Sequence, residues 1–576
     1  MRNAEIAAAF AELGTLYELD GANRYRVLAY RDAAKAIRDC PKPVAEMARQ
    51  GKATELQGIG ETIEAKILAL LDEGEIPAAA KLKEKMPASL VEVTAVPGLG
   101  PKTVRRLWDE LGIGTLDDLA AAAKEGRLQG VKGLGAKVEE NVVREIERLG
   151  AEGPVERRLL DEMREVGTEL VEMLRSHPAS EVVELAGSAR RWEETCKDID
   201  IVATASDPTE LARALREHEL VAESGSAGSG GTQVRSHNGI AVDLRIVPPA
   251  ELGNLLQHFT GSAQHNVALR ERALKLGLSV SEHGITEVKT GVVHTHEREE
   301  DVYAQLGLPY IEPELRQGTG ELAVAEQGLL PELVSIDDVR GDLHSHTTLS
   351  DGKNTLGEMA EAARGRGYEY LAVTDHSASH GFGNDVQADA LLRRVEEVDE
   401  LNESFDDGFR LLAGSEVNIG TDGSRDYEDE VLAELDWVVA SVHTSFQMSA
   451  ERMTERIVAA IEHPLVDCIG HPTGRLLLRR EPYGLDIEAV IAAAAASGTM
   501  IEINGNPNRR DLSEGHARMA AAAGVGIVVN TDAHRIRTLA NMQYGIATAR
   551  RAGLTPAQVL NTLPWAELGP RRKRAS

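Results

Sequence analysis

The C-terminal part of the sequence carries His344 and His346 in an HSH run, then Asp351, His376, Glu416, His443, His471, Asp532 and His534. Imidazole mixed with carboxylate suits Zn2+, Mn2+ or Fe, and nine donors are too many for one ion, so two or three are expected. Clustered ions activate water and offset charge on a phosphate ester, which points to metal-assisted phosphoester hydrolysis. A second constellation lies upstream. Asp198 and Asp200 alternate with Ile199 and Ile201, so on a strand the two carboxylates share one face, and Asp243 in IAVDLRIV continues the pattern. Three carboxylates from neighbouring strands can hold two Mg2+ or Mn2+ ions, bridge a triphosphate and polarise a primer hydroxyl for in-line displacement. Gly187 and Ser188 precede this pair at a strand-to-helix turn suited to the departing phosphates, and Arg190 and Arg191 follow to add charge.

Different elements must position these groups. Residues 1–150 have helical periodicity broken by a repeated glycine turn: LQGIGETI (56–63), VPGLGPKTV (96–104) and VKGLGAKV (131–138). Each pair of glycines (Gly58 and Gly60, Gly98 and Gly100, Gly133 and Gly135) allows a tight turn, after which helix N-terminal amides face outward as an anion site. Lys102 and Lys137 stand just inside the second helices. From about 154 to 310, short strands alternate with helices, and the Gly/Ser-rich stretch 223–239 reads as a hairpin loop because strand-like sequence resumes at once. A Pro, Gly and acid-rich stretch, 317–340, reads as a linker. Beyond it come seven apolar strands, each ending in a polar cluster and followed by a helix, which argues for a parallel barrel with its chemistry at the C-terminal strand ends.

Charge and composition narrow the function further. The chain has 576 residues, 42% of them apolar, and a net charge of −30. That charge is unevenly spread: residues 1–150 carry −2, 151–330 carry −14 and 331–576 carry −14, so a polyanion should meet the N-terminal part first. Three separated cysteines without a CxxC pair, and no long apolar run, predict a reduced cytoplasmic protein that does not enter a membrane. Disordered and disulfide-stapled classes are excluded.

The repeated glycine turns resemble helix-hairpin-helix motifs, which bind DNA backbone without reading sequence. Residues 1 to about 316 resemble the family X DNA polymerases, the group containing DNA polymerase beta. That resemblance places Asp198, Asp200 and Asp243 at the metal-ligand positions and Gly187, Ser188 and Arg191 at the triphosphate. In HFTGSAQHNVALRERAL, Phe259, Thr260 and Gly261 resemble the segment beneath the sugar, and Asn266 and Arg270 the contacts to the nascent pair and template. Lys197 stands where the animal polymerase has a glycine and His258 where it has a tyrosine. Lys66 matches the family's Schiff-base lysine and borders the apolar stripe Ile63, Ile67, Leu70 and Leu71, which makes it the candidate lyase nucleophile. The series DLHSHTTLSDG, TDHS, GSE, VHTS, GHPTG and NTDAH resembles the PHP phosphoesterase family, whose fold is a distorted seven-stranded barrel, and fills all nine ligand positions of its fully equipped members. His294 and His296 also form an HxH, without partners, and read as surface residues.

The expected architecture is an all-α helix-hairpin-helix region, an α+β nucleotidyltransferase core and a C-terminal (β/α)7 barrel. The expected divisions are a lyase-like region at 1–85, fingers at 86–153, palm at 154–248, thumb at 249–316, linker at 317–340 and PHP domain at 341–568. The resemblances imply a monomeric DNA-repair polymerase acting on gapped or nicked DNA with dNTPs, joined to a 3′ to 5′ exonuclease that also processes ends and apurinic sites. The alternatives are an end-processing nuclease whose polymerase-like core grips DNA, a DNA-binding scaffold, and a small-molecule nucleotidyltransferase.

Overall fold

The structure, a computed structural model, describes residues 1–94, 96, 99–131, 157–226, 228–381 and 383–573. The chain forms two compact units. One comprises Met1–Arg157, Glu162–Leu185 and Lys197–Pro248; the other comprises Arg158–Asp161, Ala186–Cys196 and Pro249–Ser576.

The first unit begins with helices α1 (Asn3–Leu19), α2 (Arg24–Asp39), α3 (Glu61–Glu73) and α4 (Pro101–Leu111), with shorter helices between them. Ile6, Phe10, Leu13 and Leu16, spaced to share one face of α1, are fully buried and join Ile63, Ile67, Val104 and Leu107 in one core. The same unit holds a five-stranded sheet of β1 (Ser180–Leu185), β2 (Asp198–Ala205), β3 (Val221–Ser224), β4 (Gly231–Ser236) and β5 (Ala241–Ile246), in the order β1-β2-β5-β4-β3. Only β2 and β5 run parallel, and their register sets Asp200 directly opposite Asp243. Ile199 and Ile201 are fully buried while Asp198 and Asp200 stay partly exposed, so the period of two decides which face carries acid.

In the second unit, helices Leu252–Thr260 and Ala263–Lys275 precede a three-stranded antiparallel sheet. The 317–340 segment is not a free tether. It contains a helix, Glu321–Glu326; Glu321 binds His265 Nδ1 at 2.6 Å, and Val334 N donates to Leu554 O. Its Ala325 and Val334 are buried, and that burial outweighs the loop-like composition. Then come β6 (Gly341–Asp342), β7 (Tyr370–Val373), β8 (Arg410–Asn418), β9 (Trp437–Ser441), β10 (Cys468–Ile469), β11 (Met500–Asn504) and β12 (Ile527–Asn530), all parallel and in sequence order. A parallel bridge from Ser345 to Ala533 joins the two ends, so the barrel is nearly closed. The strands are almost continuously buried, as strands covered on both faces must be. Side-chain caps at Thr355, Ser449, Asp486 and Ser513 start four of the surrounding helices.

Candidate active sites

Six of the seven barrel strands deliver to one end a side chain that could ligate a metal. His344, His346 and Asp351 follow β6, His376 follows β7, Glu416 lies late in β8, His443 follows β9, His471 follows β10, and Asp532 and His534 follow β12. Two of these residues bend the backbone out of its extended path: φ is +30° at His471 and +53° at Asp532, a conformation costly for non-glycine residues and common where side chains are forced into a site. Seven of the nine donors form three overlapping groups: His346, Asp351, His376 and His534; His344, His346 and Glu416; and His376, Glu416 and His443. Glu416 is central. Its Oε2 lies 2.9 Å from His376 Nδ1 and 3.3 Å from His344 Nε2, and its Oε1 lies 2.9 Å from His471 Nε2 and 3.2 Å from His443 Nε2. Asp532 Oδ1 stands 3.1 Å from His346 Nε2.

The donor set fits metal ions. His344 Nε2, His346 Nδ1, His471 Nδ1 and Glu416 Oε2 are buried without a hydrogen bond, an arrangement that is costly unless a cation satisfies them. Burial, with His534 and His376 nearby, pushes His346 down to about 4, and burial pushes His443 down to about 4, so both are neutral imidazoles ready to ligate. Burial would raise the Glu416 carboxyl, yet His443, His344 and His376 hold it well below the usual range.

Two supporting acids were not singled out in the sequence. Glu502, fully buried on β11, accepts from His344 Nδ1 at 2.7 Å, from Asn530 Nδ2 at 3.0 Å and from the His471 amide at 3.1 Å. The available signal was an acid inside the apolar strand MIEIN, the one barrel strand that supplies no ligand. Asp375 accepts from Thr347 N and Oγ1, Ser350 Oγ and Arg394 Nη1, all within 2.9 Å, and so fixes the loop that carries Asp351.

In the first unit, Asp198, Asp200 and Asp243 line a cavity of about 430 Å3 together with Glu223, Gln233 and Arg235. Asp243 Oδ2 is held by Arg245 Nη2 at 2.8 Å and Gln233 Nε2 at 3.1 Å. Gly187, Ser188 and Arg191 belong to the second unit. There Arg191 donates to the Thr260 carbonyl and pairs with Glu193 at 3.3 Å, while Arg190 binds Thr260 Oγ1 at 2.6 Å and Glu299 at 2.8 Å. Gly261, at φ +68°, would bring a Cβ to 3.2 Å from Arg191 Nη1, which explains glycine there. Asn266 donates to His258 O at 2.8 Å, Phe259 is in ring contact with His258, and Arg270 is exposed. His294 meets Glu287 at 3.0 Å and His296 meets Gln305, so the second HxH has ordinary polar partners.

At the first glycine turn, Gly58 has φ +91°, Ile59 plugs the core, and Gly60 caps α3. At the second, Leu99 is buried and Gly100 caps α4, with Pro101 at its first position. Gly98, Gly133, Gly135 and Lys137 lie outside the described residues. Lys102, Arg105 and Arg106 of α4 line a cavity of about 890 Å3 with Arg24 and Arg31 of α2 and with Glu18, which pairs with Arg31, so the lining is basic on balance in an acidic protein. Lys66 is half-buried on α3.

Family models match in the same order as these structures: a helix-hairpin-helix domain at residues 1–76, a SAM-like helix-hairpin-helix tandem at 90–148, a DNA polymerase beta thumb at 255–317 and a PHP domain at 342–506. The chain is 36% identical to the DNA polymerase/3′-5′ exonuclease PolX of Bacillus subtilis, over 97% of both proteins. The chain belongs to the family X DNA polymerases that carry a C-terminal PHP domain. Its two parts also have separate relatives. A probable phosphatase of Thermoanaerobacter sp. is 35% identical over 38% of this chain and 89% of its own length, and DNA polymerase lambda of Rattus norvegicus is 26% identical over 54% of this chain and 56% of its own. Among the described residues, no helix is long and apolar enough to cross a membrane.

Proposed function

We propose that this family X polymerase fills short gaps in DNA by template-directed nucleotidyl transfer at Asp198, Asp200 and Asp243, and trims 3′ ends in its barrel. The observation that carries the reading is the pairing of two phosphate-chemistry sites in one chain: the carboxylate cavity on β2 and β5, and the cage at the barrel's C-terminal end, in which seven clustered donors are joined by His471 and Asp532.

In the polymerase site, Asp198, Asp200 and Asp243 hold Mg2+ or Mn2+, Ser188 and Arg191 receive the triphosphate, Phe259 to Gly261 support the sugar, and Asn266 and Arg270 face the new pair and template. The turns at Gly58–Gly60 and Gly98–Gly100, with Lys102, grip backbone phosphate through helix amides and charge. In the barrel, His344, His346, Asp351, His376, Glu416, His443, His471, Asp532 and His534 hold two or three Mn2+, Zn2+ or Fe ions. Such ions supply Lewis acidity and a deprotonated water near neutral pH. The protein's part is to keep His346 and His443 neutral, to orient His344 through Glu502, and to fix Asp351 through Asp375. Lys66, half-buried on α3, is the candidate amine for a 5′-deoxyribose-phosphate lyase step.

The test is a labelled primer facing a one-nucleotide gap with a 5′ phosphate, incubated with Mn2+ with and without dNTPs. Extension with dNTPs and shortening without them is expected. Shortening under both conditions would leave the chain an end-processing nuclease with a polymerase-like grip on DNA.

A further inference from the structure

Two arginines stand at the rim of the barrel's catalytic end, on the loops that follow β10 and β11. The loops are tied by Leu477 N donating to Asn508 O at 2.7 Å. Arg480 is fixed by neutral partners: Nε and Nη2 donate to Gly474 O at 3.0 and 2.7 Å, and its guanidinium lies 4.2 Å from the centroid of Phe446, which stacks on Tyr483. Arg509 reaches towards the cage, its Nε 3.7 Å from Asp532 Oδ2, with the side chain 21% exposed. Burial and the proximity of Arg509 both lower the pKa of Arg480, so the two cations feel one another.

Like charges held together in a partly dehydrated rim repel unless an anion lies between them. The surrounding region is acidic, with −14 over residues 331–576, yet Arg480 is anchored by a carbonyl and a ring rather than by a carboxylate. Asp532 pairs with Arg509 at 3.7 Å, a charge contact without a hydrogen bond, and the same carboxylate also faces His346 in the cage, so Arg509 keeps its N–H donors for a further anion. Guanidinium groups match phosphate oxygens in charge and in fork geometry. The cage supplies its own cations for the ester being cleaved, and Arg480 sits to one side on a loop anchored at Gly474.

The geometry points to Arg480 and Arg509 as a clamp for a second, uncleaved phosphate of the same strand, so that the barrel site favours polynucleotide ends over small phosphate esters. The inference rests on the exonuclease reading above.

The experiment compares full-length protein with the Arg480→Ala/Arg509→Ala and Arg480→Lys/Arg509→Lys variants. Two Mn2+-dependent substrates are used: a 5′-labelled single-stranded oligothymidylate, and bis(p-nitrophenyl) phosphate, which has one phosphate. The alanine variant should raise KM for the oligonucleotide about tenfold more than for the small diester, the scale of a charged hydrogen bond to phosphate. The slope of log KM against log salt should shrink by about 0.7, the step for one phosphate of a single strand that is no longer neutralised. The lysine variant should recover part of both effects, and metal content should match the parent protein in each case. Equal losses on the two substrates, or no loss on either, would overturn the clamp. If the parent protein trims the oligonucleotide and the variants fail to discriminate, only the clamp falls; if the parent protein does not trim it, the exonuclease reading falls and takes the clamp with it.

Discussion

Nδ1 of His344 lies 2.7 Å from Oε2 of Glu502, and both side chains are fully buried. A carboxylate behind an imidazole fixes the ring's tautomer and orientation and leaves Nε2 to face the cage. Burial alone would keep His344 neutral, but Glu502, Glu416 and Asp532 raise its pKa well above normal.

Glu502→Gln should therefore weaken metal binding by about 10- to 100-fold while the barrel stays folded. Metal content after dialysis against a weak chelator, read beside far-ultraviolet circular dichroism, checks this. Unchanged metal retention would show that Glu502 only fills space.

The three carboxylates Asp198, Asp200 and Asp243 and the barrel's nine donors lie on different units and share no residue, so the two activities should fail separately. Asp198→Ala with Asp200→Ala should abolish nucleotide addition and spare 3′ trimming; His344→Ala with His346→Ala should do the reverse. Loss of both activities in either folded double variant would rule out independent sites.

Metal binding should release protons. His534 is pulled down by burial but raised further by Asp351 and Asp532, to about 9, so without metal it is protonated at pH 7.5 and must lose that proton to ligate. Affinity for Mn2+ should rise with pH through about 9. Calorimetry in buffers of different ionisation heat should count at least about one proton released per cage filled. Heats that do not vary with buffer would contradict the assignment.

Glu299 is buried between Arg316, which is fully buried, and Arg190. Burial raises its carboxyl, but the two arginines hold it below the usual range. Glu299→Ala should cost about 3–5 kcal/mol, because it strands a buried guanidinium. The urea transition of the thumb-bearing unit is the measurement, and a loss under about 1 kcal/mol would mean that water or Tyr310 replaces the carboxylate.

Local pattern carried much of this protein. A period of two put Asp198 and Asp200 on one face, and apolar runs ending in His, Asp or Glu marked six strands that bring candidate donors to one end, because strand geometry ties side-chain direction to residue number. Glycine spacing marked the turns before α3 and α4, since only glycine takes φ +91° at Gly58 without strain. The tertiary structure alone decided what those side chains meet. Glu502 and His344 are 158 residues apart, and although an acid within MIEIN marks the position as unusual, nothing local says which side chain it meets. Arg191 is steadied by Thr260 and Glu193, partners that its position in the sequence does not announce, and the 317–340 segment reads as a tether but packs through Val334 and Ala325. The physical reason is the same in each case: residue type and spacing set direction and chemistry over a few residues, whereas partners are chosen by burial, which brings together groups that the chain itself keeps far apart.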